Sequence, residues 1–449
     1  MRRAARLRVL AAALAPGAFF VCLQASFGCF GCSSSKPQGT LAIVLGGETD
    51  ALSRDPAVTA LQIDAIDEKG FPSSLGHAQL PAATIDLGDL PQDRVAIVRV
   101  TGTDKDGLTR VRGASPPVQL GGLDGSTLSI FVQRTGELAR FPAPLSDGRE
   151  APLIAPLQGR YIFVAGGDTT SQIYDLSVYS AVPTPPKLTR TPKSLAVAGT
   201  LALVVDDQGA TWFDLSSSAT SDAAAPQGGS FAEVAGGASV RASDGTIYVV
   251  GATRLTGDAS ARVLRVDPGG TLSFVTLSAP RLGAAAGWMP GRGLVVAGGN
   301  ASAPGAEIVG PGATSGIALP YPSDQVTGAG LSPLDDTHLV LTGGLDSKSG
   351  DGGLRTLDVT CATACAIVPW PATLPTPLTR AQAFPIDVSD VLVVGDDAAG
   401  NTHVVHVNQL QSAEVALRAP RRNARAMSLS TGAIVVVGGG AGVIESYVP

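Results

Sequence analysis

The chain has little charge, few aromatics and almost no histidine: 16% of its 449 residues are charged, 5% are aromatic and four are His. Its net charge of −6 leaves no basic face to neutralise phosphates, so duplex nucleic acid is excluded as a partner. No Gly-x-Ser-x-Gly elbow, phosphate loop, dinucleotide fingerprint or His-Glu-x-x-His motif occurs, which removes the common catalytic signatures. Apolar residues are not scarce: at 44% they are too many for a disordered chain. Gly and Pro are abundant, 55 and 32 residues, among many short apolar runs. That mixture points away from helical bundles and coiled coils and toward all-β structure with frequent turns. The length exceeds what one core usually serves, so two domains or one large repeat architecture is expected.

The first thirty residues read as an address. Arg2, Arg3, Arg6 and Arg8 precede an apolar stretch from Val9 to Leu23, the order of an export signal. Pro16 and Gly17 interrupt it, and a spanning helix needs roughly 20 unbroken apolar residues, so a permanent transmembrane anchor is disfavoured. The stretch ends in Gly28-Cys29 and Gly31-Cys32, followed by Ser33, Ser34, Ser35 and Lys36. A small residue before a Cys, then a polar tether, resembles a bacterial lipoprotein signal, in which the Cys becomes the lipidated N-terminus. Cys32 is favoured over Cys29, because the Ser run then forms the tether. The alternative is an ordinary secretory signal with incidental cysteines. Losing the four Arg takes the net charge from −6 to −10, so membrane attachment must come from acyl chains rather than a basic patch. The expected division is a signal over 1–31 and a tether over 32–39. Of five Cys, Cys22, Cys29 and Cys32 belong to this region; Cys361 and Cys365 remain, in a disulfide-permissive exported chain. They flank Ala-Thr-Ala between two expected antiparallel strands, which suits a local disulfide.

Beyond residue 136 a repeat dominates. Seven β-type runs each end in a Gly pair or a variant of one: Tyr161–Ala165, Leu201–Val205, Ile247–Val250, Leu294–Ala297, Leu339–Thr342, Val391–Val394 and Ile434–Val437. The first members of the pairs stand 40, 45, 47, 45, 52 and 43 residues apart, the range of propeller blades. After each pair comes a second strand that often closes with Asp, as in Ile173-Tyr174-Asp175 and Trp212-Phe213-Asp214. Before each run lies a strand of small residues, such as Gly283–Ala286 or Ala424–Ser428, suited to the crowded axis of a propeller. An Arg tends to open it: Arg149, Arg190, Arg281, Arg380 and Arg421 lie 15 to 17 residues before their pairs. The seventh unit has no outer strand of its own. Leu138–Pro144 resembles the segment before Arg421 and is expected to supply it, closing the ring with the two ends of the repeat region.

Apolar run, Gly-Gly, an aromatic-Asp strand and an Arg before a small-residue strand resemble the Kelch repeat, and the resemblance covers Arg149 to Pro449. It implies four-stranded blades of a seven-bladed β-propeller over 136–449. Residues 40–135 show no repeat but several strand-like runs, with alternation clearest in Leu61–Ala65 and Ala96–Val100. Their number and length suggest a small Ig-like β-sandwich, although no Cys-Trp-Cys core is present. The whole chain is similar to the Kelch-repeat lipoproteins that GC-rich bacteria such as myxobacteria export. The similarity implies a cell-envelope, outer-membrane or surface location, with a periplasmic or secreted protein as the alternative.

Chemistry is thinly spread. Some Kelch propellers are copper radical oxidases, but His403 and His406 are three apart in an expected strand and therefore face opposite ways. His77 and His338 stand alone, and no metal or other cofactor is expected. Asp104-Lys105-Asp106-Gly107 begins like a calcium loop, but no Glu closes it, so a β-turn is expected; Asp346 and Asp351 read the same way. The arginine series could ring one face and attract carboxylates of acidic sugars or peptides. In Kelch repeats such an Arg ties neighbouring blades together. Two functional readings follow: a non-catalytic, surface-anchored protein that binds protein or glycan through one propeller face, and, as the rival, a carbohydrate-active enzyme of sialate-epimerase or lyase type. The rival needs convergent acid–base groups at the axis, and no clear set is seen.

Overall fold

A computed structural model describes residues 39–449, apart from 83–84, 88–89, 91–92, 301, 303 and 346–352. The export signal, the lipidation candidates Cys29 and Cys32, Cys22, Asp346 and Asp351 lie outside the described residues.

The apolar runs are the second strands of seven four-stranded antiparallel sheets, six of them in the order A-B-C-D along the chain. The first blade comprises Leu153–Leu157, Tyr161–Gly166, Asp168–Asp175 and Ser180–Ala181. Strand B is unbroken apolar sequence because both its faces are covered. Ile247–Val250, Gly293–Ala297 and Ile434–Gly438 are buried at every residue, as a strand wedged between neighbouring sheets must be. The propeller core is accordingly divided into seven wedges, one between each pair of adjacent blades. Leu203 and Val205 of blade 2, for example, pack with Ile247 and Val249 of blade 3. The A strands adjoin their neighbours around the axis, and the first adjoins the seventh, Arg425–Ser428. That crowding explains the small residues: a Cβ on Gly330 would lie 2.0 Å from the Ala381 carbonyl oxygen of the next blade.

Blade 7 takes its outer strand from upstream. Leu138–Arg140 pairs antiparallel with Ala441–Tyr447, Leu138 opposite Tyr447 and Arg140 opposite Glu445. Ring closure therefore joins the beginning and end of the propeller by backbone hydrogen bonds, which removes a free edge.

Residues 39–134 form an all-β unit on one hydrogen-bonded path. Its strands are β1 (Thr40–Val44), β2 (Ala60–Ile66), β3 (Pro72–Gln79), β4 (Ile85–Asp86), β5 (Val95–Thr103), β6 (Thr109–Ala114), β7 (Val118–Gln119) and β8 (Thr127–Arg134). The order is β3-β2-β5-β6-β8-β1-β4, with β7 on β5 and a parallel β1–β8 pair. Leu41, Ile63, Ile85, Val98, Val111 and Ile130, from six of these strands, meet in one core, so the sheet curls around it. The described residues from 39 to 449 form one compact unit. Its seam is aromatic: Phe131 of β8 packs edge-on against Phe141 at 4.9 Å and tilted against Tyr179 at 5.8 Å. The Tyr179 hydroxyl accepts the Phe131 N–H at 2.9 Å. Burial pushes the Tyr179 phenol up to about 12. Glu48 adds a polar clamp, accepting from the Arg140 N–H at 2.7 Å and from its Nε at 2.9 Å.

Candidate functional site

The arginine series and the Gly pairs share the propeller face formed by the B–C hairpins and the connections between blades. Strand A opens from this face, so an Arg just ahead of it lies beside its own blade's B–C hairpin. Arg281 Nη1 donates to the Gly298 carbonyl at 2.8 Å, Arg149 Nη1 to Gly166 at 2.9 Å and Arg421 Nη1 to Gly438 at 2.6 Å. The guanidinium also reaches strand C. Arg281 Nε meets Glu307 at 2.9 Å, and Arg421 meets Glu445 at 2.9 Å, all four side chains fully buried. Burial pulls the Arg421 pKa down, and the Glu445 carboxylate opposes that pull. The N–H three residues before each Arg donates to the same acceptor: Ser278 to Glu307 at 2.6 Å, Arg418 to Glu445 at 2.8 Å. In blade 1 the Ser146 N–H donates to Gln172 at 2.7 Å, and Gln172 in turn holds Asp147, the carboxylate paired with Arg149.

Blades 2 and 6 place the acid elsewhere. Asp206 and Asp396 occupy the hairpin, at the positions of the first and the second Gly respectively, and take the guanidinium directly, Arg190 Nη1 at 3.3 Å and Arg380 Nε at 3.1 Å. Asp396 also receives Arg425 Nη1 at 3.4 Å and the Thr402 hydroxyl at 2.8 Å. Arg380 and Asn423, which hydrogen-bond to each other, sit in the left-handed region with φ of 50° and 56°, a conformation that costs about 1 kcal/mol or more outside Gly.

These contacts correct the expectation of guanidiniums bridging blades. Arg149, Arg190, Arg281 and Arg421 brace their own blades, and only Arg380 of the series, through Asn423, reaches the next. The link between blades belongs to the Gly pair. The second Gly donates to the following connection: Gly299 to Val326 at 3.0 Å, Gly344 to Leu378 at 2.7 Å and Gly439 to Arg149 at 2.7 Å. The first Gly must leave room for that approach. Gly438 has φ of +76°, and a Cβ there would sit 2.5 Å from the Arg149 carbonyl oxygen.

The acidic residues that close strand C hold turns. Asp175, Asp214 and Asp358 each accept the N–H and hydroxyl of the residue two ahead, Ser177, Ser216 and Thr360. Hydrogen bonds from the Ser216 and Ser217 hydroxyls hold the Asp214 carboxyl near pKa 2. Asp104 is likewise a turn residue, accepting N–H groups from Asp106 and Leu108 and pairing with Arg110 at 2.7 Å. His403 lies between Glu414 at 2.7 Å and Asp397 at 3.4 Å, whereas His406 pairs with Asp390. Burial lowers the His403 pKa, and the two carboxylates more than offset it. His338 sits on Asp335 at 3.0 Å, and His77 lies on β3 facing Gln62 of β2. Among the described residues no three His, Cys, Asp or Glu side chains group as a metal site. Cys361 and Cys365 form a disulfide, their Cα atoms 5.8 Å apart, ahead of the outer strand of blade 5.

An open cleft of about 480 Å³ lies on this face over blades 1 and 2. Thr169, Thr189, Thr191, Gln208 and Thr211 line it, with Arg190 between Asp206 and Asp222. It is a hydrogen-bonding surface whose central charge is already paired. Neither this cleft nor the strand-C partners Glu307 and Glu445 came from sequence reasoning. The spacing of 26 and 24 residues from Arg to partner was the available signal.

The strand pairing defines the class: a seven-bladed β-propeller with a small all-β unit packed where the ring closes. No family model matches the chain, and no curated protein is similar to it. Looser likenesses exist among solved propellers. YCF48 bound to D1 peptide is 12% identical over 70% of this chain and 97% of that one, with a TM-score of 0.48. The WD40 propeller of Doa1 is 11% identical over 68% and 96%, also at 0.48. A quinonprotein alcohol dehydrogenase-like protein from Bacteroides thetaiotaomicron is 12% identical over 80% and 89%, at 0.43. The blade count rests on the hydrogen-bonded sheets of this chain, not on these likenesses.

Proposed function

We propose that this chain is a non-catalytic, Kelch-type binding protein, exported and lipid-anchored at Cys32 or Cys29 in the cell envelope. It holds a protein or glycan partner against the hairpin face of the propeller. The observation that carries the reading is the cleft over blades 1 and 2: broad, open, rich in hydroxyl and amide groups, with its guanidinium committed to two carboxylates. Such a surface offers many weak, directional contacts to a polar partner. It does not offer a poised acid–base pair. Gly-Gly at 166–167, 298–299, 343–344 and 438–439, each at positive φ, supports the Kelch subtype. The small N-terminal unit is read as an Ig-like sandwich that spaces the propeller from its anchor.

The test compares the full chain with Gln208→Trp, an exposed cleft residue, on a glycan array and in crosslinking to purified envelope proteins. Loss of a defined partner signal in the variant supports the reading; retention of every signal overturns the cleft as the site. Anchoring is read separately. Labelled palmitate should enter the protein and be absent from Cys29→Ser/Cys32→Ser, and full labelling of the double variant sinks the lipid anchor.

A further inference from the structure

A second cleft, of about 270 Å³, lies in the seam between the N-terminal unit and blades 7 and 1. Its walls differ in kind from those of the hairpin face. Phe131, Phe141, Leu176 and Tyr179 supply apolar surface, and Arg99 and Arg112 supply charge. No Asp or Glu side chain lines it, although the chain carries a net charge of −6. Arg112 Nη1 donates to the Pro449 carbonyl at 2.9 Å. Arg99 is less committed: one Nη stands 3.6 Å from Asp64, and its buried Nε has no partner.

Gln133 also lines this cleft and is 1% exposed. Its Nε2 donates to the Ser446 carbonyl at 2.8 Å and the Glu137 carbonyl at 3.3 Å, which fixes the orientation of the amide. Its Oε1 is buried and has no partner. A buried acceptor without a donor is costly and uncommon. Here the orphaned acceptor and an orphaned guanidinium N–H belong to residues that line the same apolar cleft.

We propose that this cleft binds a small aromatic carboxylate that carries a ring hydroxyl. The carboxylate takes the paired donors along the Nε edge of Arg99, a geometry guanidinium favours. The ring lies against the Phe131 and Tyr179 surface, and the hydroxyl donates to Gln133 Oε1. The volume is near the lower end for ligand pockets, about 300 Å³, which suits a single ring. The site is independent of the hairpin-face reading, because the two clefts share no residue.

The experiment is calorimetric titration of the full chain with 4-hydroxybenzoate, benzoate and 4-hydroxybenzyl alcohol. The first should bind with a Kd on the order of 0.1 mM. The other two, each lacking one recognised group, should bind about tenfold more weakly. Arg99→Met should remove the advantage of the carboxylate and leave the alcohol unchanged. Thr431→Trp, a half-buried lining residue, should block all three, whereas Gln208→Trp should block none. Equal affinities for the three probes, no heat with any of them at millimolar concentration, or binding that survives Thr431→Trp would each overturn the proposal.

Discussion

Blades 4 and 7 and blades 2 and 6 solve one problem in two ways. Each must fasten the chain entering at the axis to its own B–C hairpin. In blades 4 and 7 the hairpin is Gly-Gly and the acid lies on strand C, as Glu307 and Glu445, paired with Val296 and Val436 of strand B in the same register. The ion pair is sealed, both side chains at zero exposure. In blades 2 and 6 an Asp takes one of the two hairpin positions, and the strand-C residue becomes Thr211 or Val405. The guanidinium then meets water, with the Arg190 and Arg380 side chains 26% and 32% exposed, although Asp396 itself stays buried. Blade 5 reverses the charges: Arg355 holds the strand-C register and Asp324 precedes strand A, 3.7 Å apart. The repeat keeps a location for the brace rather than a residue type, and moving the acid from strand C to the hairpin decides whether water reaches the guanidinium.

The largest expected effect tests what seals blade 7. Arg140 of the upstream strand lies opposite Glu445, and Leu138 and Ala139 are buried in the adjoining wedges. A chain beginning at Arg149 would leave this blade with three strands, an exposed edge and a brace open to water. It should aggregate and lose its cooperative melt, whereas a chain that retains the segment from Gly136 stays soluble. Identical melting of the two by differential scanning calorimetry would show that the upstream strand seals nothing.

Next comes the sealed pair itself. Arg281→Ala leaves the Glu307 carboxylate buried without its partner, which typically costs about 3–5 kcal/mol. Replacing both members, in Arg281→Met/Glu307→Met, should recover most of that loss, because an apolar pair of similar volume avoids the desolvation cost. Urea unfolding of the three proteins reads this directly. A double variant as unstable as the single one would mean that the carbonyl contacts of Arg281 to Gly298, Gly305 and Pro304 matter more than the charge.

What was legible in the sequence follows the same physical division. Strand B was readable because it is buried on both faces and therefore apolar throughout, and it carried the period, the blade count and the closing strand with it. In the N-terminal unit Ala60–Ile66 was readable from its alternation, which is also its burial pattern. Pro72–Gln79 and Thr109–Ala114 were not: the first is largely solvated, and the second carries Arg110 and Arg112 among small residues. The role of the arginines was misread because their partners are set by strand register. Glu307 and Glu445 look like surface acids until the hairpin folds them back onto the Arg. The seam cleft left no sequence signal, since Arg99, Gln133 and Tyr179 meet only when two separate sheets pack together.

Blade 5, with its reversed and loosely bonded pair, provides an intermediate case, because it also carries the disulfide. Cys361 and Cys365 close a very short loop, so Cys361→Ser/Cys365→Ser should cost roughly 2 kcal/mol. The measurement is the urea midpoint of the oxidised protein with and without reductant, the double variant serving as the reduced reference. No shift on reduction would mean that the outer strand of blade 5 is held by its packing alone, Trp370 being buried beside Leu354 and Leu378.

The smallest effect should come from the open braces. Arg190 keeps contact with water, and its second carboxylate, Asp222 at 3.8 Å, is largely exposed. Exposed pairs contribute about 0–1 kcal/mol, and Arg190 also hydrogen-bonds the Thr211 hydroxyl at 2.8 Å, so Arg190→Ala should cost about 1 kcal/mol. Salt separates the two kinds of brace. The Debye length falls from about 10 Å at 0.1 M to about 3 Å at 1 M, and a water-accessible pair is screened while a sealed one is not. Raising the salt should therefore shrink the difference between wild type and Arg190→Ala and leave that between wild type and Arg281→Ala nearly constant. Parallel salt dependence for the two variants would erase the distinction between sealed and open blades, and with it the argument that the strand carrying the acid controls the strength of the brace.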